Sequence, residues 1–103
     1  LETGQLSEAR CLHNRNVYKV HPDSGAPIEG VQIPGWQQLK KDMIDLANKL
    51  PYMHFIAWDI LITEEGHCII EANTSSGVNI IQLWGGQRNK ELGNFYRYHK
   101  VIK

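Results

Sequence analysis

"DILITEEGHCIIEAN" (Asp59–Asn73) is the stretch that decides how this chain folds. Two runs with alternating apolar residues flank a turn that contains a glycine, which reads as a β-hairpin. A three-residue loop with Gly66 in the left-handed position, closed by a glycine bulge, sets the register. Thr63 then faces His67, Leu61 faces Ile69, Asp59 faces Glu71 and Ala57 faces Asn73. Side chains alternate across a strand, so Asp59, Glu71 and Asn73 share one face. Trp58, Ile60 and Ile62 share the other with Cys68, Ile70 and Ala72, and that face reads as buried.

The neighbouring sequence supplies what this hairpin packs against. "WQQLKKDMIDLANKL" carries apolar residues at Trp36, Leu39, Met43, Leu46, Ala47 and Leu50. Steps of three and four mark one face of an amphipathic helix over 36–50, ended by Pro51. Upstream, "VYKV" (Val17–Val20) alternates like a strand. "HPDSG" follows as a turn with Gly25 left-handed, and "PIEGVQIP" returns as a hairpin or an open excursion. Downstream, "TSSGVN" reads as a loop and "IIQLW" as a short helix or turn. The tail places Leu92, Phe95, Tyr96, His99 and Val101 at near-helical spacing, against the low helix propensity of Gly93. The fold class expected is α+β: one domain over 1–103, a mostly antiparallel sheet centred on the 55–63 and 67–73 hairpin, with packed helices. The 36–50 helix is expected on the hairpin's apolar face, where Trp36, Leu39, Met43 and Leu50 meet Trp58, Ile60 and Ile70.

Composition excludes several function classes. The 103 residues balance 11 Lys and Arg against 11 Asp and Glu, for a formal net charge of zero. Such a balance does not steer a chain toward nucleic acid or an anionic membrane. No apolar run is long enough for a membrane span. Cys11 and Cys68 lack CxxC spacing and read as reduced thiols, which gives a cytoplasmic expectation.

The opposed acids carry the chemistry. Directly opposed side chains on a hairpin have Cβ atoms about 5 Å apart, and like charges there repel. Three things relieve that repulsion: full exposure to water, a shared proton or a bound cation. Leu61 and Ile69, flanking the acids in this register, argue against full exposure. Asn73 adds a third oxygen that does not ionise, which favours a hard cation such as Mg²⁺. Zinc is disfavoured because the trio has no His or Cys. The five histidines (13, 21, 54, 67, 99) lack metal-ligand pairing and read as structural or surface residues.

The run "WDILITEEGHCIIEANTSSGVN" (58–79) resembles the last conserved block of the ATP-grasp enzymes. "EANTSSG" (71–77) is similar to a motif of the D-alanine:D-alanine ligases, which usually have Pro at the position of Ser76. "LETGQL" (1–6), "HPDSGAPIEGVQIPGW" (21–36), "WDILIT" and "IEAN" together resemble the sugar-transfer-associated ATP-grasp proteins of polysaccharide gene clusters, over about residues 1–82. The resemblance implies the C-terminal subdomain of an ATP-grasp fold. Asp59 and Glu71 are then metal ligands, with Glu71 bridging two Mg²⁺ (or Mn²⁺) ions that hold the phosphates of ATP, and Asn73 supplies an amide oxygen. Ser75, Ser76 and Gly77 fall where related ligases place groups near the terminal phosphate or acceptor; a plain connecting loop is the alternative. Two departures stand out. Ala57 occupies a position where many of these ligases have an Arg on the reacting phosphate, and Arg10 and Arg15 are the nearest substitutes in the sequence. The phosphate-gripping lysines and the adenine-binding segment lie N-terminal to the block matched here. The expectation is therefore the C-terminal part of an ATP-dependent carboxylate ligase, inactive alone and completed by an N-terminal part of the same protein. Its substrate would be a small-molecule or sugar-linked acid. A non-catalytic nucleotide- or metal-binding scaffold relative is the alternative.

Overall fold

The computed structural model describes residues 1–103. In chain order the elements are β1 (Ala9–Arg10), β2 (Val17–Tyr18), α1 (Trp36–Asn48), β3 (Ala57–Thr63), β4 (Gly66–Asn73), a 3-10 turn at Ile80–Gln82 and α2 (Glu91–Tyr98). This is the α+β mixture expected. The strands form two separate two-stranded antiparallel ribbons, β1–β2 and β3–β4, where one mostly antiparallel sheet was expected. No helix is long and apolar enough to cross a membrane. The chain divides into two compact units: Leu1–Ala9 with Val17–Ser76, and Arg10–Asn16 with Gly77–Lys103.

In the first unit, α1 organises the N-terminal segment. Most of its apolar stripe is as spaced in the sequence: Leu39 is 4% exposed and Trp36, Met43 and Leu46 are half-buried, while Ala47 is exposed and half-buried Leu50 lies just past the helix. The chain enters α1 through Gly35 at φ 65, and the Gly35 carbonyl accepts the Leu39 N–H at 2.9 Å. Trp36 lies over Gly4, and its indole Nε1 donates to the Leu1 carbonyl at 2.6 Å. Gln37 Nε2 donates to the Glu2 carbonyl at 2.8 Å, and Lys40 lies 3.7 Å from Glu2. "LETGQL" is therefore strapped to the first turns of α1. It also pairs with 30–33, with Leu6 N–H donating to Val31 and Ile33 N–H to Gly4. The "HPDSG" turn closes as expected, with Gly25 at φ 70 and its N–H donating to the His21 carbonyl at 2.8 Å. Val20 bridges Pro27 beyond it, so the returning segment is a hairpin.

The β3–β4 hairpin departs from expectation near its tip. Ala57 pairs with Asn73, Trp58 with Ala72 and Asp59 with Glu71, but Ile60 then pairs with Ile69, Leu61 with Cys68, Ile62 with His67 and Thr63 with Gly66. The loop has two residues, Glu64 and Glu65, instead of three, and Gly66 lies at φ 153 rather than in the left-handed well. A bulge at Ile70 takes up the extra residue. The bulge reverses the faces of the tip half. Cys68 joins the face of Asp59, while Ile69 and His67 join the face of Trp58 and Ile60. The buried surface assigned to Cys68, Ile70 and Ala72 is corrected accordingly: all three are exposed, Ile70 at 67%, because the bulge leaves it unpaired. Trp58, Ile60 and Ile62 are half-buried.

His67, thus turned, reaches α1. Its Nε2 lies 3.1 Å from Asp42 Oδ2, while Asp42 Oδ1 accepts Gln38 Nε2 at 2.7 Å. Both partners keep some contact with water, so the tie contributes little. Asp42→Asn is expected to lower stability by about 0.2–1 kcal/mol, read as a small drop in the denaturation midpoint with an unchanged slope.

The second unit holds α2, the 3-10 turn and residues 10–16. Gly93, read as a weakness of the tail helix, is buried for a steric reason. A Cβ there would run into the Arg88 carbonyl, so the close approach of backbone to backbone requires glycine. The rings of Phe95 and His99, one turn apart, meet at a 50° tilt with their centres 4.4 Å apart.

Candidate metal-binding face of the hairpin

Register is what builds this site, and the half of the hairpin that carries it pairs as the sequence implied. Asp59 stands at the middle of β3 directly opposite Glu71, and Ala57 directly opposite Asn73. Asp59 and Asn73 are thus diagonal neighbours on one face. Trp58 and Ala72 point to the other face, which keeps the oxygen face free of bulky groups at this end. Asp59 and Glu71 are both exposed, and neither is hydrogen-bonded or ion-paired to another side chain.

The acids are not shielded from water as expected. Leu61 and Ile69 were expected to shield the acids from water. Leu61 is 52% exposed, and Ile69 lies on the opposite face because of the bulge. Water screens the Asp59–Glu71 repulsion here, so the pair does not by itself demand a cation. The donor set is what speaks for one. Two carboxylates and a carboxamide oxygen on an open face suit Mg²⁺ or Mn²⁺, which keep several waters and reach phosphate oxygens through the remaining positions. No group of three or more His, Cys, Asp and Glu side chains gathers as a metal site. The third oxygen that this face offers is the carboxamide of Asn73.

Asn73 has a second engagement that sequence reasoning missed. Its Oδ1 accepts the backbone N–H of Ser75 at 2.8 Å. This is an Asx turn, and an Asn two residues before a Ser-rich loop was the available signal for it. It bends the chain at Thr74 and Ser75 immediately after β4. Ser75 is exposed and Ser76 half-buried. Gly77 belongs to the second unit, and a Cβ on it would meet nothing within 4 Å, so packing does not require glycine there. Ala57, at the position of the expected arginine, is half-buried. Arg10 and Arg15 belong to the second unit, and Arg10 donates to the Leu83 carbonyl at 3.4 Å. His67, which the sequence placed on the acid face, pairs with Asp42 on the other side. The free thiol of Cys68 is exposed on the acid face, next along from the Asp59–Glu71 pair.

Compared with known proteins, residues 1–94 match the family model described as sugar-transfer associated ATP-grasp. No curated protein and no solved structure matches the chain.

Proposed function

The chain belongs to the sugar-transfer associated ATP-grasp family, and from that premise we propose that it is the metal-holding, C-terminal portion of an ATP-dependent carboxylate ligase. The observation that carries this reading is the direct opposition of Asp59 and Glu71 with Asn73 on the diagonal, all on one solvent-open strand face. In such a ligase a substrate carboxylate attacks the γ-phosphate of ATP and expels ADP to give an acylphosphate, from which an amine or other nucleophile then displaces phosphate. A bound Mg²⁺ or Mn²⁺ supplies neutralisation of the charge that develops on the β- and γ-oxygens.

The chain's own residues do the positioning. Asp59 and Glu71 would hold the ion from paired positions of the hairpin. Asn73 adds a neutral oxygen, which limits the site's negative charge beside a polyphosphate. The loop from Ser75 to Gly77 offers backbone N–H groups, the usual means by which a turn cradles an anion. We place this activity in cytoplasmic polysaccharide biosynthesis, a reading supported by the family's association with sugar transfer.

A second reading, a non-catalytic nucleotide-binding scaffold, is favoured by one observation. Ala57 cannot supply the positive charge that many ligases of the superfamily place on the reacting phosphate. The two readings separate in one assay of the full-length protein with ATP, Mg²⁺ and a panel of small and sugar-linked carboxylic acids. A ligase releases ADP only when acid and Mg²⁺ are both present. ATP binding without ADP release across the panel establishes the scaffold reading instead.

A further inference from the structure

We propose that Asn73 is a positioning residue that couples cation occupancy of the β3–β4 face to the hydrogen-bond donors of the following loop. The proposal rests on the cation reading above and concerns what Asn73 does beyond ligation. Asn73 ends β4 opposite Ala57, on the face of Asp59 and Glu71, and its Oδ1 accepts the Ser75 N–H at 2.8 Å. The oxygen that would complete the trio is the one the loop already engages.

A carboxamide oxygen has two lone pairs. With one taken by the Ser75 N–H, the other remains for a cation. An oxygen that gives electron density to a divalent ion is a poorer hydrogen-bond acceptor, so the Asx turn weakens when the face is occupied. The Ser75 N–H then turns to the anionic oxygen of a phosphate group. Coupling between two sites is reciprocal. An anion that takes the Ser75 N–H frees Asn73 Oδ1 for the cation by the same factor. Cation and phosphate therefore favour each other here through a hydrogen bond exchanged between acceptors, in addition to their direct attraction. Ser75 is exposed, so an anion has access to it.

The test follows the amide protons of Asp59, Glu71 and Ser75 in ¹⁵N-labelled full-length protein. Mn²⁺, through paramagnetic broadening, reports binding at Asp59 and Glu71. Mg²⁺ alone is then titrated while Ser75 exchange is read. On saturation the Ser75 exchange rate is expected to rise roughly fivefold, the change set by losing a hydrogen bond of ordinary net strength. Asn73→Ala is expected to give fast Ser75 exchange at every Mg²⁺ concentration. Glu71→Gln is expected to keep the slow exchange without Mg²⁺ and to move the response to higher Mg²⁺, which separates the turn from the cation. Broadening at Asp59 and Glu71 with Ser75 exchange unmoved by Mg²⁺ overturns the coupling and leaves the cation reading intact. Slow Ser75 exchange in Asn73→Ala also overturns it. Absence of broadening at Asp59 and Glu71 overturns the cation reading and the coupling together.

Discussion

Glu71→Gln in the full-length protein is expected to lower ATP turnover by about 10²–10³-fold, the loss typical of removing one preorganised electrostatic stabiliser. Glutamine keeps the length, the oxygen and the strand preference of the side chain, and removes only the charge. Glu71 is exposed, and its carboxylate makes no hydrogen bond or ion pair. The fold should therefore change by no more than about 0.5 kcal/mol, the usual range for a surface substitution. Thermal unfolding that matches wild type, beside a collapse in turnover, is the expected pair of results. Asp59→Asn should behave in the same way, because it stands directly opposite Glu71. The double variant should lose much less than the product of the two single losses, since both carboxylates serve one cation site.

Gly4→Ala is expected to destabilise the first unit by about 2–4 kcal/mol, from two penalties that act at one atom. Gly4 lies at φ 74, which L side chains rarely adopt. A Cβ there would also overlap the Cβ, Cγ and Cδ1 atoms of Trp36. The indole is not free to swing away, because its Nε1 donates to the Leu1 carbonyl. Nor can the backbone shift without cost, because the Gly4 carbonyl accepts the Ile33 N–H at 2.9 Å. Denaturant unfolding should show the loss as a lowered midpoint. Gly77→Ala is the matched control. A Cβ there meets nothing within 4 Å, so its midpoint should stay near that of wild type.

Much of this architecture is legible in the residues, and the failures have identifiable causes. α1 follows from the spacing of Trp36, Leu39, Met43, Leu46 and Leu50, and the turn at 21–25 from Pro22 and Gly25. The Asp59–Glu71 pair survives a wrong loop length because two departures offset each other. The loop is one residue shorter than expected, and Ile70 bulges out of β4 by one residue. The apolar run Cys68–Ile69–Ile70, which interrupts the alternation of β4, is the trace of that bulge in the sequence. Its consequences were not legible. It exposes Ile70 and turns His67 toward Asp42, a residue in another element 25 positions earlier in the chain. It also carries Ile69 off the acid face, which removes the shielding on which a cation had been argued. Local periodicity does not encode a contact between elements, and the ties of Trp36 to Leu1 and Gly4 were hidden for the same reason.

The Mg²⁺ dependence of ATP turnover in the full-length protein, compared between wild type and Glu71→Gln, tests the central claim most directly. The account predicts a large fall in turnover for Glu71→Gln and a half-saturating Mg²⁺ concentration above that of wild type. Turnover and Mg²⁺ dependence identical to those of wild type would contradict it, and would remove the hairpin face from the site of metal binding.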